Sequence, residues 1–161
     1  GGGNNGGAGS GGGGVSCFIA GTQVIRADGT SDDIENIEIG EELMGMDGSI
    51  NIVKAFDRPL LWDRWLWTMN DEETPWFTSE HPFMTTEGWK ALEPLKTAEE
   101  MPLLGATRMK EGDQIIQASG APKRLDKYAA FEGDYNRQLY NFMLDNTSTY
   151  FANGNLVHNV K

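Results

Sequence analysis

A single all-β domain of many short strands is the fold predicted by these 161 residues, and three observations predict it. Asp-Gly and Asn-Gly pairs recur between short apolar runs, the runs are rich in β-branched and aromatic residues, and only one stretch has the composition of a helix.

The opening "GGGNNGGAGSGGGG" holds ten of the chain's 21 glycines and no side chain able to offset the entropy of ordering. Residues 1–16 are therefore expected to form a flexible spacer, with the domain over 17–159 and a short C-terminal flank at 160–161. "TQVIR" reads as a strand closed by a turn at Ala27-Asp28-Gly29. "ELMGM" and "NIVKAF" read as a hairpin around Asp47-Gly48, because both residue types tolerate positive φ. "DRWLWTM" and "TPWFTS" are strand-like in composition. "EPLKTAEEMPLL" is the helical candidate, held to about two turns by Pro94 and Pro102. Arg108 to Phe131 lacks clear periodicity and reads as a long excursion. "QLYNFMLD" and "TYFANGNLVHN" are the closing strands, the second turning at Asn153-Gly154.

Composition narrows the function. The formal charge is −11, from 24 acidic against 13 basic side chains, and the basic residues are scattered rather than striped, so nucleic acid is not an expected partner. No apolar run is long enough to cross a bilayer, and no membrane partner is expected. One cysteine excludes an internal disulfide. The chain begins with Gly rather than Met, which reads as a piece of a longer protein and leaves its compartment open; a monomer is expected.

With one cysteine and two histidines, the chemistry concentrates in few places. Cys17, in "VSCFIAGTQV", stands where the spacer meets the first apolar run. It fits an incidental strand-start residue, and it also fits a thiol that attacks the Ser16 carbonyl and turns an amide into a thioester. His81, in "FTSEHPF", follows Thr78 by three residues. An imidazole of near-neutral pKa can give a proton to a departing amide nitrogen, with the Thr78 hydroxyl orienting that amide, although a histidine before proline is also an ordinary loop residue. His158-Asn159 is the third place. An asparagine amide can attack its own backbone carbonyl, close a succinimide and cut the chain before Val160, with the neighbouring imidazole moving protons. The three places together would cut both ends of one module.

On these residues the chain resembles the Hint (hedgehog/intein) superfamily of self-processing domains. "CFIAGTQV" resembles the family's opening block, "TSEHPF" its Thr-x-x-His block, and "LYNFMLDNTSTYFANGNLVHN" its two closing blocks. The resemblance runs from Cys17 to Asn159, as in a minimal intein without an endonuclease insertion. It implies a horseshoe-shaped all-β fold with pseudo-twofold symmetry that brings the two ends together, acting in a single turnover on its own flanks without a cofactor. Asn141 stands where many inteins carry an aspartate that assists the thiol, and Ser148 where many have another histidine. Val160 replaces the Cys, Ser or Thr that receives the acyl group in splicing. This pattern is similar to bacterial intein-like domains that lack a downstream nucleophile and cleave at one or both ends, with occasional ligation. A bacterial surface, secreted or phage-encoded protein would suit as host.

A different class remains beside it: a non-catalytic β-rich surface or phage-tail binding module on a glycine-rich stalk, with "WDRWLW" as a ligand face. Tryptophans in such a domain are more often core. A zinc site from Cys17, His81 and His158 lacks close ligand spacing, and zinc is expected instead to inhibit the thiol. A sterol-transferring reading lacks a segment after Asn159 to bind the sterol.

Overall fold

The computed structural model describes residues 15–159; the glycine-rich spacer through Gly14, and Val160 and Lys161, lie outside the described residues. In chain order the elements are β1 (Phe18–Ile19), β2 (Gln23–Ile25), β3 (Ser31–Asp33), β4 (Glu42–Met44), β5 (Ile50–Asp57), β6 (Trp65–Met69), β7 (Phe83–Thr85), β8 (Gly88–Ala91), α1 (Pro94–Glu100), β9 (Thr107–Arg108), β10 (Gln114–Ile115), β11 (Lys123–Arg124), β12 (Tyr128–Glu132), β13 (Leu139–Leu144), β14 (Thr149–Ala152) and β15 (Asn155–His158).

The turn chemistry works as its residue types dictate. Asp47 and Gly48 both take positive φ, 56° and 77°, and close the antiparallel β4–β5 hairpin, in which Met44 faces Ile50. Asn153 and Gly154, at 49° and 84°, do the same between β14 and β15. The helix starts at Pro94, whose missing N–H is no loss in a first turn, and stops two residues before Pro102.

Strand pairing brings together segments from near both ends of the described residues. The largest sheet runs β9-β8-β7-β15-β14-β2-β3, with β10 and β11 attached beside β7, so the last strand, β15, lies between β7 and β14. A second sheet runs β1-β13-β5-β4 and holds Phe18, next to Cys17, against Tyr140. β6 pairs with β12. Between these sheets lies an aromatic core: Phe77 packs edge-on to Phe83 at 5.1 Å, Trp76 to Phe77 at 5.0 Å, and Phe142 to Tyr150 at 5.3 Å. Burying each such ring stabilises by roughly 1.5–3 kcal/mol, and this packing also encloses Cys17, Thr78 and His81, all at 0 % exposure.

Three sequence expectations need correction. "TPWFTS" is extended but forms no continuous strand: Phe77 makes isolated bridges to Phe18 on one side and Trp67 on the other, so its backbone groups are shared between two neighbours. Arg108 to Phe131 is no free excursion, because β10 and β11 join the main sheet and β12 runs along β6 from Tyr128 to Glu132. Strands of two residues are too short to show a period. Of the five tryptophans, Trp76 is buried, whereas Trp65 is 48 % exposed and Trp62, Trp67 and Trp89 are half-buried.

Candidate active site

Both polar atoms of the Ser16–Cys17 peptide group are held by side chains. The Cys17 N–H donates to Thr78 Oγ1 at 3.1 Å, and Asn141 Nδ2 donates to the Ser16 carbonyl oxygen at 2.6 Å. Thr78 is fixed from the other direction, since its own N–H donates to the Cys17 carbonyl at 3.3 Å. Asn141 is fixed through its oxygen, which accepts from Tyr150 Oη at 2.5 Å and from the Phe142 N–H at 2.9 Å. That assigns its amide: oxygen toward the two donors, NH2 toward the Ser16 carbonyl.

The second hydrogen of Asn141 Nδ2 faces His81 Nε2 at 3.2 Å. Because Nδ2 can only donate, Nε2 accepts, and the neutral ring carries its proton on Nδ1. His81 is stacked on Phe18 with ring centroids 4.0 Å apart, and its backbone N–H donates to the Thr78 carbonyl at 3.2 Å. Burial pushes its pKa down to about 3, with a smaller contribution from the charge of His158. This corrects the expectation of an imidazole titrating near neutrality: the side chain beside it is an uncharged amide, and a backbone hydrogen bond at Pro82 offsets the desolvation of an imidazolium only in part. Burial likewise pushes the Cys17 thiol well up; Arg64 opposes this, while Asp57, Glu100 and Glu80 add to it. At neutral pH the resting pair is thiol and imidazole.

At the other end, Asn159 is fully buried and its N–H donates to the Ser148 carbonyl at 3.0 Å. Its side-chain amide faces the Asp57 carboxyl and makes no well-formed hydrogen bond. Ser148 contributes its backbone only, because its hydroxyl donates to the Leu144 carbonyl at 3.3 Å. His158 stands edge-on to Trp89, with centroids 5.2 Å apart, on the strand position paired with Thr149. The structure thus brings Cys17, Thr78, His81 and Asn141 into one hydrogen-bonded group, with His158 within electrostatic reach of His81. Val160 lies outside the described residues.

Four residues of this neighbourhood escaped the sequence reading. Asp57 sits opposite Asn141 in the β13–β5 register, and its charge reaches both Cys17 and, through the side-chain amide, Asn159. Burial holds the Asp57, Glu80 and Glu100 carboxyls above their ordinary pKa values, Glu100 at about 7. Arg64, itself buried, donates to Glu80 Oε1 at 3.2 Å. Glu80, between Ser79 and His81, was the one visible within a motif; the others come from segments that only the fold brings near. Among the described residues, no three His, Cys, Asp or Glu side chains are grouped to hold a metal ion.

The fold has relatives among known proteins. The Hom_end-associated Hint model matches residues 17–61. The solution structure of a bacterial intein-like domain from Clostridium thermocellum is similar over 89 % of this chain and 98 % of its own, at TM-score 0.67 and 22 % identity. The crystal structure of the gp41-1 intein is similar over 89 % and 98 %, at TM-score 0.65 and 21 % identity. The DnaB intein of Synechocystis sp. PCC 6803 is similar over 91 % and 99 %, at TM-score 0.61 and 14 % identity. The catalytic subunit of the V-type proton ATPase of Candida tropicalis is 56 % identical over 34 residues, so the match spans only 3 % of that relative's length. Residues 17–61 match the Hom_end-associated Hint family, and the chain has the fold of a minimal intein.

Proposed function

We propose that this chain is an autocatalytic self-processing domain that acts on its own flanks in a single turnover. One observation carries the reading: the peptide group preceding the only cysteine is gripped at its oxygen by Asn141 and at its nitrogen by Thr78. As Cys17 Sγ attacks, a sulfur–carbon bond forms at the Ser16 carbonyl and negative charge builds on the oxygen that Asn141 already contacts. The carbon–nitrogen bond then breaks; the proton lost by sulfur passes through neutral His81 to the departing Cys17 nitrogen. A thioester is less stable than the amide it replaces, so water or an added thiol is needed to carry the first cut forward.

For the second cut, Asn159 Nδ2 attacks the Asn159 carbonyl carbon, a carbon–nitrogen bond closes the succinimide, and the bond to Val160 breaks. Nδ2 loses a proton and the new amine of Val160 gains one; His158 is the group assigned to this transfer. Both reactions are intramolecular, so positioning replaces substrate binding. No cofactor enters either step, and zinc is assigned the role of thiol inhibitor. Because valine cannot accept an acyl group, the subtype proposed is one that cleaves, with ligation only to an external amine.

The test fuses folded tags of different mass to both ends and follows products by mass. Self-processing predicts dithiothreitol-induced release of the upstream tag ending at Ser16, lost in Cys17→Ala, and a downstream tag starting at Val160, lost in Asn159→Ala. An intact chain under all conditions would favour a binding module.

A further inference from the structure

Cys17 is not the first residue that the domain holds. The peptide group one position upstream, joining Val15 to Ser16, is held at both of its polar atoms by charged side chains. Arg64 Nη1 donates to the Val15 carbonyl oxygen at 2.7 Å. The Ser16 N–H donates to both carboxylate oxygens of Glu100, at 3.0 and 3.2 Å. In a trans peptide the C=O and N–H point from opposite edges, so the two side chains approach from opposite sides. Above about pH 7, where Glu100 is ionised, the signs match the peptide dipole, a cation at the oxygen and an anion at the hydrogen.

The cation is immobilised. Arg64 Nε donates to the Leu61 carbonyl at 3.1 Å, Nη2 to the Leu60 carbonyl at 2.9 Å, and Nη1 also reaches Glu80. Glu100 arrives from a separate segment, as the last residue of α1. The Ser16 side chain between them is fully enclosed, and its hydroxyl makes no well-formed hydrogen bond.

We propose that Arg64 and Glu100 form a main-chain clamp that positions the N-terminal flank, and that the enclosure of residue 16 admits only a small side chain with a backbone N–H. The proposal deepens the self-processing reading and rests on it. It assigns the substrate class at this end: a polypeptide with Ser, Ala or Gly before the cysteine, and neither proline nor a large residue. Both are positioning residues. Fixing the Val15–Ser16 peptide sets the direction of the next carbonyl, the one Asn141 contacts.

Two measurements test it. In the Cys17→Ala protein, which cannot form the thioester, the Ser16 amide proton should be shifted downfield and protected from exchange. Glu100→Ala should abolish the shift and speed exchange by about tenfold or more, while Glu100→Gln, which keeps an acceptor oxygen, should restore part of it. In the Cys17 protein, thiol-induced release should be retained with Ser, Ala or Gly at position 16 and fall by about tenfold or more with Pro, Leu or Trp. The cut after Asn159 in the same molecules reports that the fold is intact. Ser16→Pro should add little further loss in a Glu100→Ala background, since both remove the same bond.

A Ser16 amide indifferent to Glu100→Ala, or Pro and Trp variants released as fast as Ala, would overturn the clamp. If the unaltered protein released nothing with thiol, the self-processing reading would fail instead, and the amide signal would still decide whether the clamp exists.

Discussion

Replacing Asn141 by aspartate exchanges the NH2 that donates to the Ser16 carbonyl oxygen at 2.6 Å and faces His81 Nε2 at 3.2 Å for a carboxylate oxygen. Two effects of opposite sign follow. The Ser16 oxygen loses its donor and meets a negative charge, which opposes the charge that builds there during attack. His81 gains an anion at hydrogen-bonding distance, where two unit charges interact by about 5 kcal/mol at an effective dielectric of about 20. At about 1.4 kcal/mol per pKa unit this is between three and four units, enough to return His81 from about 3 to near neutrality. The stability of the unaltered protein should reflect the same group. A folded-state pKa of about 3 against an ordinary 6.5 means that the contribution of neutral His81 is present above 6.5 and is lost as pH falls toward 3. The assay is a pH titration of the His81 ring resonances by NMR in a Cys17→Ala background. Asn141 should give a ring that stays neutral through pH 5, and Asn141→Asp one that protonates near pH 7. Titration of the unaltered His81 near 6.5, or an unchanged titration in Asn141→Asp, would refute the reasoning.

Glu100, whose burial raises its pKa to about 7 with smaller contributions from the Glu80 and Asp57 charges, should lower stability as pH rises from about 4.5 to 7, because the folded state keeps a proton that the unfolded chain has released. Glu100→Gln should flatten that slope, gaining about 1–3 kcal/mol at pH 8 by denaturant unfolding; equal slopes would contradict the shift. Gly45→Ala should destabilise by about 1–3 kcal/mol, since a Cβ there would lie 2.1 Å from Asn51 Nδ2 and 2.6 Å from Thr149 Oγ1; an unchanged midpoint would mean that these side chains move aside readily. Val160→Cys should yield some tag-to-tag product lacking residues 17 to 159, visible by mass; cleavage products alone would mean that the site cannot position a downstream acceptor.

The strands and their turns could be read from the sequence because Asp47-Gly48 and Asn153-Gly154 carry their own geometry and the apolar runs beside them are long enough to show a pattern. The short β10 and β11 could not, since two residues define no period and their pairing depends on β7, thirty or so positions away. At the site, rarity pointed to Cys17, His81 and His158, and the block pattern to Thr78, Asn141 and Asn159. Arg64, Glu100 and Asp57 could not be found that way. They are common residue types whose significance comes from burial and from separate segments that bring their charges near Cys17. The protonation state of His81 was equally hidden, because it depends on the Phe18 ring above it and on the uncharged neighbour at 141.

The central claim is that the held Ser16–Cys17 peptide is converted to a thioester by Cys17. Its most direct measurement is intact-mass analysis of the doubly tagged protein in which Asn159→Ala blocks the second cut, incubated with hydroxylamine or dithiothreitol. The account predicts an upstream fragment ending at Ser16 and carrying the hydroxamate or the dithiothreitol adduct, absent when Cys17 is alanine. An upstream fragment formed equally without Cys17, or no adduct at Ser16 in a folded protein, would contradict it.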